Sequence, residues 1–489
     1  MVKIFVVLLL IFEIRHSEAE NSSTCSLTSF PADFKFATAS SAYQVEGGYL
    51  DDGKGRNWWD WFANSYLKAN GNNASNSYHK YLDDVNALKD IGVDYYRFSL
   101  SWTRILPKGF RYEVNDAGVE YYNNIINALL EAGIEPLVTI FHWDTPYTFS
   151  YVGEWANPKI VDYFVDFADL AFELFGDRVK LWATINEPRT FCQDVPNTIT
   201  EYFFTELPLG IYEYLCGHHV LLAHAKTYRL YESKYQKMQN GKIGIVLNLD
   251  ENVPYSNSTE DDEAAERANL FDLGWLANPI VYGDYPQDLK NLLANKSAAQ
   301  NFSSSRLPKF SCLERRILKG TFDLFFLNHY SVNHVTPAPY TNELSWENDR
   351  QVTRMENIDL PQSNIGFVLH APALRSVLKH IKDTYGDPEI FITENGYSSD
   401  GNLTDWDRIQ FIQDSLEQVR LSMCADGVNV VGYTYWSLLD SFEWNSYYKA
   451  KFGLVHVDFD SSNFTRTLRD SAYYYRNLIQ TRLINATVG

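Results

Sequence analysis

A chain of 489 residues, 45% hydrophobic and 21% charged, has the composition of a folded globular protein rather than a disordered or fibrous one. Its formal net charge of −20 argues against nucleic acid and anionic membrane surfaces as partners, because both repel an acidic surface. A neutral small molecule meets no such penalty, and the 15% of aromatic residues suits a large core or a site that stacks on flat apolar faces.

The first segment, MVKIFVVLLLIFEIRHSEAENSS, reads as an export signal. Lys3 is the positive end, Ile4 to Phe12 form an apolar run too short to span a membrane, and Ser17-Glu18-Ala19 fits a cleavage site. The expected mature chain is 20–489, a soluble protein that is secreted, extracellular or into a digestive lumen, or lysosomal. Eight N-x-S/T sequons, at Asn21, Asn73, Asn257, Asn295, Asn301, Asn402, Asn463 and Asn485, agree with an exported glycoprotein. Five cysteines, Cys25, Cys192, Cys216, Cys312 and Cys424, leave at least one unpaired within the chain and show no metal-ligand spacing.

Eight strand-like runs follow: FKFATAS (34–40), VDYYRFSL (93–100), EPLVTIFHW (135–143), VKLWATINE (179–187), KIGIVLNL (242–249), FDLFFLNHYS (322–331), EIFITENG (389–396) and VVGYTYWSLLD (430–440). Helical periodicity follows most of them, for example over 120–132 and 158–175. Strands alternating with helices imply a parallel sheet with right-handed crossovers. Eight such units predict an α/β fold, a single (β/α)8 TIM barrel with long βα loops, with an open doubly wound sheet as the alternative. The stretch 251–315 is polar and sequon-rich and reads as a surface insertion with some helix. GYLDDGKG (48–55) nearly matches a phosphate-binding loop, but it lacks the final Ser/Thr, and Asp51 and Asp52 would repel phosphate. CGHHVLLAHA (216–225) carries three histidines with no carboxylate spaced to complete a metal site.

Barrel active sites lie where strands end and βα loops begin. Glu187 ends the fourth run and Glu394 the seventh, just before Asn395-Gly396, which reads as a tight turn. Strands four and seven are expected to face each other, so that both carboxylates enter one pocket. Such a pair suits cleavage of a glycosidic bond. One carboxyl is kept protonated and donates to the leaving oxygen, while the other attacks the anomeric carbon or activates water. Two carboxylates suffice for that chemistry, so no cofactor and no metal is expected.

TINEP (184–188) and ITENG (392–396) resemble the two signature motifs of family 1 glycoside hydrolases, the β-glucosidase and myrosinase family, of which this looks like a secreted animal member. FPADFKFATASSAYQVEGG, YRFSLSWTRILPKG, FHWDTP, NHYS and YWSLLDSFEWNSYYKAKFGLVHVDF resemble further family segments in the same order. The resemblance implies that Glu187 is the acid/base and Glu394 the nucleophile of a retaining β-glycosidase acting on a small-molecule glycoside. It implies that Asn186 bonds the sugar 2-hydroxyl, that Arg97 and Tyr330 orient Glu394 and keep it ionised, and that Gln44, His142, Glu443 and Trp444 bind sugar hydroxyls. Trp436 would form the platform under the ring, and Asn328 and Phe452 match positions that line the site.

The chain departs from the family pattern mostly where the leaving group would enter. Tyr147 stands where HWDLPQ has Gln, Ala37 and Phe326 replace glycines, the loop after Glu187 lacks the usual Ala-Pro-Gly, and Trp444-Asn445-Ser446-Tyr447-Tyr448 replaces Trp-Ala-Asp-Gly-Tyr. Arg189 and Tyr147 are candidate aglycone contacts, with Phe191, Tyr202, Phe203, Tyr447 and Tyr448 as an aromatic surround. An alternative reading is a myrosinase, in which Arg189 would meet the sulfate of a glucosinolate. A third, from another class, is a catalytically inactive glycan-binding relative.

Overall fold

The computed structural model describes residues 28–193, 209–357 and 359–485. The expected leader, Asn21, Cys25, Tyr202 and Phe203 lie outside them. The eight runs fold as β1 (Lys35–Ala39), β2 (Tyr95–Ser99), β3 (Glu135–Phe141), β4 (Leu181–Asn186), β5 (Lys242–Asn248), β6 (Phe325–Asn328), β7 (Ile390–Asn395) and β8 (Val430–Trp436). All pair in parallel, and β1 bonds both β2 and β8, so the sheet closes on itself and the open alternative falls. Every residue of β4 and β7 is buried, as expected of strands covered on both faces. The helices cover the outside with apolar stripes; in Lys159–Phe175 the buried residues include Ile160, Phe164, Phe167, Ala171 and Phe175, the spacing of one helical face.

Three expectations need correction. In a ring of eight the strand opposite β4 is β8, so β7 lies one place round from it. Segment 251–315 is more than a surface insertion: Phe271, Leu273, Trp275 and Leu276 are fully buried, because the helix Trp275–Tyr282 supplies part of the barrel's outer cover. Gly396 makes no tight turn. A Cβ there would stand 2.0 Å from the Trp436 carbonyl oxygen, so glycine is required by close approach of two strand ends. Gly396→Ala is expected to cost at least about 1–3 kcal/mol, seen as a lowered Tm; an unchanged Tm would contradict this packing.

Inside the barrel, Leu137, Leu181, Val246, Phe326 and Phe391 form an apolar floor. The large rings face glycines: a Cβ on Gly244 would stand 3.0 Å from the Phe326 ring, and one on Gly432 2.6 Å from the Phe391 ring. This pairing of large with small lets Phe326 occupy a position where the family pattern has glycine. Beyond the floor, toward the strand C-termini, the interior turns polar with buried Arg97, Thr139, Asn186, Asn328 and Thr393.

Cys192 and Cys216 form a disulfide with Cα atoms 5.7 Å apart, tying the segment after β4 to the helix Tyr212–Leu230. Closing a loop of 24 residues stabilises by about 3 kcal/mol. Cys312 is an exposed free thiol. The seven sequon asparagines within the described residues are all exposed. No helix among the described residues is long and apolar enough to cross a membrane.

Candidate active site

A cavity of about 480 Å³ opens at the C-terminal end of the barrel. Its carboxylates reach it through irregular backbone. Alternation along β7 would turn Thr393 and Glu394 to opposite faces. A register shift between Ile392 and Glu394 against β6 lets both point inward, a local device that re-aims a side chain. On β4 the pairing with β5 shifts between Ala183 and Asn186, and Glu187 just beyond adopts φ +42. Trp143 and Trp444 in the same wall have φ +74 and +47. Left-handed backbone at three non-glycine residues is the strain that packing sustains at functional sites, at about 1–3 kcal/mol each.

Glu394 is 4% exposed. Arg97 Nη1 donates to its Oε1 at 2.5 Å and the Tyr330 hydroxyl to its Oε2 at 2.7 Å. Arg97 is fixed in turn by Thr139 at 3.1 Å and by Asn186 Oδ1 at 2.6 Å. Glu187 has a different shell: Asn328 Nδ2 donates to Oε1 at 2.6 Å and Thr190 Oγ1 to Oε2 at 2.9 Å. Burial, and next the charge of Glu394, push its carboxyl up to about 7, while the bonds from Asn328 and Thr190 oppose the rise. Enclosure by protein and the same Glu394 charge push Glu443 up to about 8.

Burial and then Arg97 hold His142 well below the ordinary imidazole range. It is therefore neutral, with Nε2 facing Asn186 Nδ2 at 3.1 Å and Nδ1 buried without a partner. Gln44 is held between Ser41, which donates to its Oε1 at 2.7 Å, and Glu443, which accepts from its Nε2 at 2.9 Å. Trp436, Trp444, Trp143, Trp59 and Phe452 complete the wall, Trp444 lying 4.7 Å from Trp59 and 4.9 Å from Trp143.

The sequence model of Glycosyl hydrolase family 1 matches residues 26–483. The chain belongs to glycosyl hydrolase family 1. It is 42% identical to Myrosinase 1 of Brevicoryne brassicae over 459 residues, 92% of this chain and 98% of that one. It is 39% identical to Beta-glucosidase 12 of Oryza sativa subsp. japonica over 487 residues, 93% of each. Among solved structures, that of Aphid myrosinase superposes with a TM-score of 0.86 at 39% identity, covering 92% of this chain and 99% of that one.

The sites read from this family 1 sequence converge in space. Gln44, His142, Asn186, Glu187, Arg189, Asn328, Tyr330, Glu394, Trp436, Glu443, Trp444 and Phe452 all line the cavity, with Arg97 behind Glu394 and Asn186. Tyr147 does not line it: its ring stacks on Trp61 at 5.6 Å. Tyr447 and Tyr448 also turn away, packing on Phe442. Trp58, Trp59, Thr190, Asn248 and Phe367 line the cavity and were not read from the sequence. The two tryptophans open a helix whose Asn57 and Asp60 form a capping box, a readable signal for the helix but not for where its tryptophans point. The three clustered histidines have structural partners: His218 meets the Tyr285 hydroxyl, His219 the Trp155 carbonyl and His224 the Thr321 carbonyl.

Holding Glu187 in this family 1 cavity has a stability consequence. Its carboxyl rises from 4.5 to about 7 on folding. Its contribution is therefore fully present below pH 4.5 and is lost as pH rises through about 7. Glu187→Gln is expected to stabilise the fold by about 3 kcal/mol at pH 8 and by little at pH 4. Thermal melts at the two pH values check this; an equal effect at both would contradict it.

Proposed function

We propose that this chain is a secreted, N-glycosylated, retaining β-glucosidase that works by double displacement, with residues 20–489 as its mature catalytic domain. The observation that carries the reading is the contrast between two carboxyls in one cavity. Glu394 is ion-paired and hydrogen-bonded on both oxygens, and Glu187 is raised toward neutral pH by burial and by the Glu394 charge. Pairs of titratable groups pushed apart in this way mark acid and nucleophile.

In the first step Glu394 attacks the anomeric carbon, the bond to the leaving oxygen breaks, and Glu187 gives that oxygen its proton. Glu394 is then an ester and carries no charge, so the electrostatic push on Glu187 falls and Glu187 becomes a base. Water attacks the anomeric carbon, its proton passes to Glu187, and Glu394 leaves as carboxylate. Retention fits a Glu394 whose oxygens are fixed by Arg97 and Tyr330. The array Gln44, Glu443 and neutral His142 with its unpartnered Nδ1–H suits the equatorial hydroxyls of glucose, over a Trp436 platform. The apolar leader and exposed sequons support export.

The test is hydrolysis of p-nitrophenyl β-glucoside, cellobiose, salicin and sinigrin. Turnover of the neutral glucosides is expected. A folded protein inert to all of them, yet binding a glycan, would overturn the reading in favour of a binding relative.

A second reading is favoured by one observation: Arg189 and the exposed Arg354 both line the outer part of the cavity. Arg189 has a bland role too, lying 4.0 Å from Asp272. A leaving group bearing sulfate would meet these cations, which is myrosinase chemistry. Sinigrin as the best substrate would support it, and no sinigrin turnover would sink it.

A further inference from the structure

The two oxygens of Glu187 have unlike partners. Oε1 takes its bond from Asn328 Nδ2. That amide is locked, because Asn328 Oδ1 accepts from Thr393 Oγ1 at 2.7 Å and Nδ2 also reaches Asn186 Oδ1 at 3.3 Å. An amide N–H only donates, so Oε1 is always the acceptor. Oε2 meets a hydroxyl, Thr190 Oγ1, at 2.9 Å, and a hydroxyl donates or accepts. Behind Thr190 stands Asn248, whose Nδ2 donates to Thr190 Oγ1 at 3.1 Å. Asn248 Oδ1 is buried in the cavity wall without a partner. Its amide has no other hydrogen bond among the described residues, and nothing pins it against the half-turn that exchanges Nδ2 and Oδ1.

We propose that Oε2 is the oxygen that carries the catalytic proton, and that Glu187, Thr190 and Asn248 form a chain whose hydrogen bonds reverse direction when that proton moves. This rests on the glycosidase reading above. With Glu187 ionised, Asn248 Nδ2 donates to Thr190, and the Thr190 hydroxyl donates to Oε2. With Glu187 protonated and no substrate bound, Oε2–H donates to Thr190 Oγ1, and the Thr190 hydroxyl donates to Asn248 Oδ1 after the half-turn, which pairs that acceptor and turns Nδ2 to the cavity wall in its place. The one proton gained or lost is that on Oε2, exchanged with solvent or substrate; Thr190 and Asn248 keep their own protons and exchange donor and acceptor roles. In the glycosylation step the Oε2 proton passes to the leaving oxygen as the anomeric carbon–oxygen bond breaks, and the chain returns to its first direction. In deglycosylation the proton of the attacking water arrives on Oε2 as the ester bond to Glu394 breaks. Thr190 is thus a positioning residue whose hydroxyl donates to the base form and accepts from the acid form, where Asn328 donates to Oε1 in both. The other charged and titratable groups that face Glu187 are Glu394 on β7, Tyr330 just after β6, Glu443 in the segment after β8 and Arg189 in the helical stretch after Glu187 itself; Arg97 and His142 stand behind Asn186.

The test is the pH dependence of Thr190→Val and Thr190→Ser. Valine keeps the shape and removes the hydroxyl, so the Glu187 anion loses a donor. The protonated form loses a weaker acceptor at the same time, so the alkaline limb of kcat/KM is expected to move to higher pH by the difference, up to about one unit. The acid limb of kcat on a 2,4-dinitrophenyl β-glucoside, for which deglycosylation limits, should move the same way. Serine should restore both limbs. Thr190→Ala replaces the valine variant if that one does not fold. Limbs unchanged in every variant lacking the hydroxyl, or a serine variant as shifted as the valine one, would overturn the chain. Absence of wild-type turnover on every β-glycoside would defeat the glycosidase reading itself, a separate outcome.

Discussion

Glu394→Gln is expected to lower kcat/KM by a factor on the order of 10⁴ or more, for good and poor leaving groups alike, because no covalent route remains without the attacking oxygen. The loss should deepen as pH rises toward neutrality, since the uncharged amide no longer pushes the Glu187 carboxyl up and less of the acid form remains. It should also cost stability. Arg97 is 1% exposed and its nearest anion is Glu394; removing one member of a buried pair costs about 3–5 kcal/mol. The two effects separate cleanly. Wild-type protein treated with an activated 2-deoxy-2-fluoro-β-glucoside should carry the sugar on Glu394, detectable by mass spectrometry of its peptides. Labelling at another residue, or an active Gln variant, would remove Glu394 from the role.

Glu187→Gln should behave differently, and the difference is diagnostic. General acid catalysis contributes about 10²–10⁴-fold, so a leaving group that needs protonation, such as the sugar of cellobiose, should lose that factor in kcat/KM. A 2,4-dinitrophenyl β-glucoside, which departs unaided, should lose far less in that parameter. Its kcat should still fall, because water lacks its base in the second step. The sign of the pH effect follows from the raised carboxyl. Glu187 acts as an acid only while protonated, so wild-type kcat/KM should decline as pH climbs through about 7, and that limb should vanish in the variant. An equal loss on both substrates, or a persistent limb near neutrality, would contradict the assignment.

The barrel is legible because its strands announce themselves as short β-branched or aromatic runs, four of which stop at a chemically loaded residue: Asn186-Glu187, Asn328, Glu394, Trp436. Local sequence carries that signal. It carries much less about three-dimensional adjacency. Counting strands suggests that four and seven oppose, and only the ring order shows that β8 takes that place. Gly396 looks like a turn residue because Asn-Gly is a turn pair, yet the constraint is the Trp436 carbonyl, 40 positions along the chain. Its position in the FHWDTPY motif points Tyr147 to the site, but its ring stacks on the face of Trp61. A lone threonine in the short helical stretch after Glu187 has no distinctive pattern; only the 2.9 Å approach to Glu187 gives Thr190 meaning.

The apolar floor under the polar layer has a kinetic consequence. A second hollow of about 500 Å³ opens at the opposite end of the barrel, touching Leu181, Leu324 and Phe391 from beneath, and the two hollows have no lining residue in common. The catalytic chamber therefore does not open through the floor, and among the described residues its mouth lies at the C-terminal end of the barrel. Whatever sits deepest must wait for whatever sits nearer the mouth. The aglycone departs first and the sugar last, so free sugar can re-enter and occupy the chamber ahead of new substrate, making the enzyme sensitive to its own accumulating product.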